Sequence, residues 1–159
     1  MCTRGVQPGF RRCGDRTCSL CPFTGRAADG RRVSQVEIKH SGQVKDIKDS
    51  LNCKSRNVLY LLSCEQQTGA KVCGQQYVGE TGRFVKKRFS EHKSSMEEVS
   101  TTKVIGEHFQ EKGHRGQVDC TMVPFLKVKS EDPFVRKTLE TYYINKFNLI
   151  EKGLNVKLG

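Results

Sequence analysis

Three closely spaced cysteines near the start of the chain are typical of a metal site. In the pattern Cys13-x4-Cys18-x2-Cys21, the short intervening loops would let three sulfurs converge on one tetrahedral zinc ion. Residues 1–56 are rich in Gly, Arg, Lys and Cys and have few apolar residues. A structural metal would supply folding energy that such a segment otherwise lacks. We therefore predict a zinc-binding basic extension over residues 1–56.

The fourth ligand of this zinc is open between three residues. Cys53 is favoured, because it lies just before the first predicted core strand and would pin the extension to the core; His40 and Cys2 are the alternatives. Disulfides are a poorer explanation for the 8 cysteines of the chain. The N-terminus has no apolar signal core, which favours an intracellular protein, and a reducing compartment does not maintain disulfides.

A second set of possible ligands consists of Cys64, Cys73, His108 and His114. A predicted hairpin brings the two cysteines together, and the two histidines span the end of a predicted helix. From spacing alone, a Cys2His2 zinc site is as plausible as histidines that contact phosphate or face solvent. Cys120 lies in an apolar strand, and we expect it to be a core residue.

The charge of the chain indicates a polyanionic partner. The 28 Lys and Arg exceed the 17 Asp and Glu, which gives a formal charge of +11, and the basic residues are spread along the whole chain. Nucleic acid is favoured over a membrane, because no apolar run approaches the roughly 18 residues that span a bilayer. Solubility alone is the other explanation of this charge.

Periodicity places the first core elements. Residues 58–62 form a continuous apolar run of strand length and residues 76–79 form a second short strand, which together predict a hairpin with a long loop. Residues 84–92 carry Val85 and Phe89 four positions apart with basic residues between them. This is the pattern of a basic amphipathic helix, well placed to meet phosphates.

The rest of the chain alternates between loops, helices and strands. We predict a polar loop at 97–102, a helix at 103–112, a strand at 118–125, a helix from Asp132-Pro133 to about 147, and a short strand at 154–156. This order predicts a small α/β fold over residues 57–159, with a short mixed or antiparallel sheet flanked by helices.

Two tyrosine motifs of the predicted hairpin carry a family resemblance. Val58-Leu59-Tyr60 and Tyr77-Val78-Gly79 resemble the Gly-Ile-Tyr and Tyr-Ile-Gly strands that name the GIY-YIG nucleases. The similarity continues through Arg88, through Glu91-His92, and through segments 139–144 and 153–156. It implies a GIY-YIG nuclease core and a metal-dependent DNA endonuclease that hydrolyses phosphodiester bonds.

The cysteines and histidines suggest a subtype within that superfamily. The pair Cys64 and Cys73 between the tyrosine motifs, the segments 107–109 and 113–114, and the upstream cysteine cluster resemble the endonuclease of Penelope-like retroelements. The resemblance favours zinc at the second Cys/His set. It also implies a nuclear protein with a reverse transcriptase domain in the same full-length chain, for which a nick in DNA would supply the priming 3′ hydroxyl.

The resemblance implies roles for three polar residues of the site. Glu140 would hold a single Mg²⁺ or Mn²⁺ ion, both of which prefer oxygen ligands. Arg88 would bind the scissile phosphate bidentately, a geometry that lysine cannot reproduce. Asn155 would orient the site by hydrogen bonding.

Tyr60 and Tyr77 would line the same site. One of them would position the attacking water or act as a general base, helped by the metal or by His92, because an unperturbed tyrosine pKa near 10 makes an unaided role implausible. Several GIY-YIG nucleases place a histidine before the second helix, where this chain has residues 100–102, and the resemblance implies that His92 would substitute for it. Gly79 would permit close backbone approach at the end of its strand.

DNA contacts are expected from Arg83, Lys86 and Lys87, and from arginines around the upstream cluster, which can grip phosphates without selecting a sequence. Two alternatives stay open. One is a non-catalytic, zinc-dependent nucleic-acid-binding module, and the other is a structure-specific, repair-type GIY-YIG nuclease.

Overall fold

The architecture of the chain, given by a computed structural model, is mixed α/β. The structure describes residues 7–25, 32–68, 70–98, 103–111, 114 and 120–155. Within that part, the elements are small sheets and three α-helices.

A three-stranded antiparallel sheet forms the centre of the molecule. Strand β5 (Val58–Cys64) lies between β8 (Gln76–Thr81) and β9 (Cys120–Lys127). All 7 residues of β5 are buried, which explains why its sequence is continuously apolar rather than alternating. The predicted hairpin of β5 and β8 is confirmed. The strand predicted at 118–125 is also confirmed and corresponds to β9.

Three helices flank this sheet: α1 (Val85–Glu97), α2 (Val104–Gln110) and α3 (Pro133–Lys146). Helix α1 packs against α2, while α3 packs against β8. Helix α3 begins as predicted, because the Asp132 side chain accepts a hydrogen bond of 2.9 Å from the backbone N–H of Phe134.

Short strands surround the central sheet. Strand β1 (Gly9–Arg11) pairs with β4 (Ser50–Asn52), β2 (Gln35–Glu37) pairs with β3 (Val44–Asp46), and β6 (Gln67–Thr68) pairs with β7 (Lys71–Val72). The buried apolar residues of the N-terminal segment, including Phe10, Leu20, Ile38 and Leu51, belong to the same hydrophobic cluster as those of β5 and β9. The segment therefore adds to the core of the sheet, and the domain division at residue 56 stays a prediction.

Some predicted boundaries were wrong. Helix α1 continues to Glu97, beyond the predicted end at 92 and into the predicted loop. No strand forms at Leu154 and Asn155: a single backbone hydrogen bond joins Leu154 N–H to the Gln76 carbonyl at 2.8 Å, and the side chain of Asn155 bonds the neighbouring strand instead. Parts of the remaining predictions, at 99–102, 112–113, 118–119 and 156, fall outside the described residues.

Candidate functional site

Tyr60 lies at the centre of the candidate site. It is fully buried on β5, directly opposite Gly79 of β8. A Cβ atom at position 79 would lie 2.3 Å from Tyr60 Oη, so glycine is needed because the tyrosine ring covers it. The close approach expected at Gly79 is thus made by a side chain. On the other side of β5 the register shifts between Leu59 and Tyr60, opposite Pro124 of β9; such bulges are common beside functional sites.

Helix α1 brings a cation and an imidazole to this tyrosine. Arg88 and His92 are four residues apart and so share one helical face. Tyr60 Oη lies 2.7 Å from His92 Nε2, and Arg88 Nε donates to Tyr60 Oη at 3.2 Å. The ring of Tyr77 lies close by, with its centroid 6.5 Å from that of Tyr60 and 5.8 Å from that of His92. Four of the predicted site residues therefore meet in one place.

Burial fixes the protonation of this group. Burial, helped by the positive charge of Arg88, lowers the pKa of His92 to about 3, while burial raises the pKa of Tyr60 and Tyr77 above the usual tyrosine value. Near neutral pH, His92 is thus uncharged and Tyr60 keeps its proton. Tyr60 Oη accepts from Arg88 Nε, and in the His92 tautomer that carries its proton on Nδ1, Nε2 accepts the Tyr60 O–H.

Glu140 approaches the same group from helix α3. Its side chain is 14% exposed. Burial raises the pKa of the Glu140 carboxyl, and the nearby Glu80 adds to this effect while Lys137 opposes it. The negative charge of Glu140 in turn raises the pKa of Tyr77. A partly desolvated carboxylate thus lies beside the two tyrosines.

Sequence analysis did not predict the charged network that surrounds Glu140. Lys137 Nζ lies 3.6 Å from Glu140 Oε2 and 3.2 Å from Glu80 Oε1. Arg136 Nε donates to Glu80 Oε2 at 2.7 Å, and Arg136 Nη1 donates to Asn57 Oδ1 at 2.9 Å. Spacing could have found part of it, because Arg136 and Lys137 precede Glu140 by four and three residues and so lie on its helical face.

Asn155 acts on a strand backbone. Its Oδ1 accepts from the Val78 N–H and its Nδ2 donates to the Val78 carbonyl, both at 2.9 Å. Val78 lies between Tyr77 and Gly79, so Asn155 holds the part of β8 that carries both motif residues.

A cleft of about 350 Å³ opens beside this group, between α1 and α2. Its lining residues are Tyr77, Arg88, Glu91, His92, Ser95, Lys103, Val104 and Ile105. Lys103 was not predicted, yet its charge also lowers the pKa of His92.

The expected DNA contacts lie along α1 and just before it. Arg83 is exposed and forms an ion pair with Glu91, whose other oxygen accepts from Arg88 Nη1 at 2.6 Å. Lys86 is half-buried and Lys87 is exposed on the first turn of the helix. Glu91 thus forms ion pairs with both Arg83 and Arg88, two of the basic residues expected to contact phosphates.

The first predicted metal cluster forms in the structure. The sulfurs of Cys13, Cys18, Cys21 and Cys53, the four-cysteine cluster, all lie within 4.8 Å of one another. The Cys13–Cys21 and Cys21–Cys53 sulfur distances are 3.5 and 3.6 Å, close to the roughly 3.8 Å edge of a tetrahedral site with Zn–S bonds of about 2.3 Å. This cluster could hold a metal ion such as zinc.

The fourth member of that cluster is Cys53. The alternative His40 lies elsewhere, with its Nε2 2.7 Å from the Phe147 carbonyl, and Cys2 is outside the described residues. Burial acts to raise the pKa of the Cys21 thiol, but hydrogen bonds from the Gly14 backbone and the neighbouring thiols outweigh it and lower the pKa to about 7. A thiolate for metal binding is therefore accessible near neutral pH.

The second set of ligands also converges. Cys64, Cys73, His108 and His114, the mixed cluster, place their ligand atoms within 4.8 Å of one another. Cys73 Sγ lies 3.5 Å from the Nε2 atom of each histidine. Cys120 pairs with Cys64 across the sheet, but it is buried and is not a member of either cluster.

Comparisons with protein-family models, curated proteins and solved structures returned no match for this chain. None of the helices in the described part of the chain has the length and apolar character of a membrane-spanning helix.

Proposed function

We propose that this chain is a Mg²⁺- or Mn²⁺-dependent DNA endonuclease of the GIY-YIG type that nicks DNA. One observation carries the proposal: two strands and helices α1 and α3 bring two tyrosines, an arginine, a neutral histidine and a desolvated carboxylate close together, and Tyr77, Arg88 and His92 of this group line one cleft. This combination suits phosphodiester hydrolysis, because a water must be activated and negative charge must be neutralised as the leaving oxygen departs.

Arg88 binds the phosphate in this proposal. Burial acts to lower the pKa of its guanidinium, but Tyr60 and Glu91 outweigh burial and raise it above the usual range. Arg88 therefore stays charged at every working pH. Its bonds to Tyr60 Oη and to Glu91 fix the plane of the guanidinium before DNA arrives, which lowers the entropic cost of forming two parallel bonds to phosphate oxygens.

Tyr60 and His92 carry the proton. A water that reaches Tyr60 Oη from the cleft would donate to it while the Tyr60 hydroxyl donates to His92 Nε2, so that a proton leaving the water would end on the imidazole. A pKa of about 3 makes His92 a weak base in the free protein. A bound phosphate brings negative charge next to it and raises that pKa, so the proton acceptor strengthens when substrate is present.

Glu140 fits the role of metal ligand. Magnesium is commonly bound by one or two carboxylates together with waters and substrate phosphates, so a single half-buried carboxylate is an adequate protein contribution. The ion would supply Lewis-acid stabilisation of the charge on the phosphoryl group and leaving oxygen. Lys137, 3.6 Å away, neutralises Glu140 in the free protein.

The two Cys/His clusters would hold structural zinc, and the net charge of +11 would hold DNA through its backbone. The resemblance to the endonuclease of Penelope-like retroelements extends the proposal. The chain would then act in the nucleus next to a reverse transcriptase domain of the same full-length protein, which would extend the nicked 3′ end.

A plasmid-nicking assay tests the proposed activity. We expect the zinc-loaded chain to convert supercoiled plasmid to open circles in Mg²⁺ or Mn²⁺. Glu140→Ala and Arg88→Ala should bind DNA but cut at least about 100-fold more slowly. Arg88→Lys should not restore the rate, because lysine keeps the charge and loses the paired geometry. Glu151→Ala, an exposed carboxylate beyond α3, is the matched control and should cut normally.

Two other outcomes would redirect the assignment. A folded, zinc-loaded chain that binds DNA and never nicks it would be the non-catalytic binding module. Cleavage of branched or flapped DNA with no nicking of plasmid would favour the repair-type nuclease.

A further inference from the structure

The N-terminus of helix α1 contacts the loop that carries Cys53 of the four-cysteine cluster. The N-terminal N–H groups of a helix have no partner within the helix, and no side chain caps α1. Instead, Val85 N–H donates to the Ser55 carbonyl at 3.0 Å and Lys86 N–H donates to the Cys53 carbonyl at 3.1 Å. The loop that supplies the fourth cysteine therefore also caps the helix.

The next two turns of α1 contact residues 19–23, which together with the rest of 13–23 and the loop 53–55 form the four-cysteine lobe. Phe23 belongs to a 3₁₀ turn (Cys21–Phe23) that starts at another cysteine of the cluster. Its ring packs on the fully buried Phe89 with centroids 5.3 Å apart, and Lys93 Nζ lies 4.6 Å from the centroid of the Phe23 ring. Ser19 and Ser90 complete the contact, with their hydroxyl oxygens 3.0 Å apart.

The two faces of α1 thus have different neighbours. The face at 85, 86, 89, 90 and 93 meets the four-cysteine lobe, and the face at 88 and 92 meets Tyr60. None of the four cysteines lines the cleft. A helix moves as a rigid rod over such a short length, so a shift on one face displaces the side chains on the other.

We propose that the metal-binding four-cysteine lobe is a positioning element for the reaction, which sets the placement of Arg88 and His92 through the Cys53–Ser55 cap and the Phe23–Phe89 contact. This inference rests on the proposed nuclease function. Metal at this cluster would then control the rate of cleavage without touching DNA at the cleft. A lobe that serves only to bind DNA would instead affect affinity.

The Phe23→Ala variant tests this coupling while leaving all four thiols in place. We expect normal zinc content, DNA affinity within about twofold of wild type, and a kcat for nicking at least about 10-fold lower, because displacements near 1 Å at a reacting group cost rate rather than binding. Phe23→Leu should recover much of the rate. The matched control is Phe134→Ala, which deletes the same ring from a position that is 75% exposed on α3 and should change nothing.

Hydrogen exchange gives a readout that does not depend on cleavage. We expect the amides of Val85 and Lys86 to exchange faster in Phe23→Ala while the amides of α3 keep wild-type rates, and the imidazole resonances of His92 to shift. If Phe23→Ala does not fold, the same exchange and resonance measurements on Phe23→Leu and wild type test the coupling.

Unchanged exchange in α1, or a normal kcat with weakened DNA binding, would overturn the coupling. If wild type does not nick DNA at all, the proposed function fails, and the exchange and resonance data still decide whether the lobe holds α1.

Discussion

The four-cysteine cluster and the mixed cluster lie next to different walls of the candidate cleft. The four-cysteine cluster takes its ligands from the N-terminal segment and lies behind α1, which presents Arg88 and His92. The mixed cluster joins the end of β5 to α2, which presents Val104 and Ile105 on the facing wall. Helix α2 has only 7 residues, and helices this short are not stable alone. The comparison teaches that a short helix such as α2 depends on contacts outside itself, and that a metal ion at the mixed cluster would supply one of them.

Removing one ligand from each cluster should give the largest effects, and it tests whether the two clusters support different helices. Cys18→Ser should lose one of two bound zinc ions, lower the Tm by roughly 10 °C, and speed exchange in α1. His108→Ala should lose the other zinc and leave exchange at the start of α1 unchanged, with a smaller loss of nicking, because Arg88 and His92 keep their support. Elemental analysis, calorimetry and hydrogen exchange measure these effects.

Cys120→Ser is the control for both variants, because Cys120 is equally buried but outside the clusters. It should retain both zinc ions. If Cys18→Ser and His108→Ala speed hydrogen exchange in α1 equally, the two clusters stabilise the cleft as one unit and do not support separate walls.

A substitution inside the site should lower the nicking rate without removing zinc from either cluster. Gly79→Ala would place a Cβ 2.3 Å from Tyr60 Oη and push the ring away from His92. We expect both zinc ions to remain, the free energy of unfolding to fall by about 1–3 kcal/mol, and nicking to fall by about 100-fold. Gly82→Ala is the comparison, since its Cβ would meet only the end of the Arg136 side chain. Similar rates for the two variants would contradict the packing of Tyr60 over Gly79.

The smallest expected effect is a pH dependence of the free energy of unfolding, which tests the face of α1 that contacts Tyr60. The pKa of His92 is about 3 in the folded chain and about 6.5 when unfolded. Its contribution is therefore fully present above pH 6.5 and is lost as the pH falls towards 3, because the unfolded chain takes up the proton first. Between pH 6.5 and 5.5 we expect wild type to lose about 1 kcal/mol more than His92→Gln.

Chemical denaturation at the two pH values measures that difference, and the ¹⁵N shifts of His92 should stay those of a neutral ring throughout. A His92 titration near pH 6.5 would show that the ring is exposed to water and does not hold the Tyr60 proton as described.

Sequence reasoning succeeded where partners are close along the chain. Cys13, Cys18 and Cys21 could be grouped by spacing alone, and Cys53 by its place before the first core strand. The mixed cluster needed a hairpin and a helix to meet, so spacing left it open. The Glu80–Arg136–Lys137 network depends on how α3 lies on β8, which no local pattern encodes.

At Leu154 and Asn155, the described part of the strand predicted at 154–156, the prediction failed for a different reason. Local composition suggested backbone pairing, yet the side-chain amide of Asn155 supplies both the donor and the acceptor that Val78 needs. A strand at that position would duplicate bonds that one residue already makes.

This amide also has a consequence for solubility. Strand β8 is the outer strand of its sheet, and an open outer strand invites pairing with another molecule and then aggregation. Leu154 N–H occupies the Gln76 carbonyl and Asn155 occupies both backbone groups of Val78, so the end of the described chain blocks this edge with only three hydrogen bonds. Leu154 and Asn155 therefore occupy three backbone groups of β8 that a strand of another molecule would need for pairing at this edge.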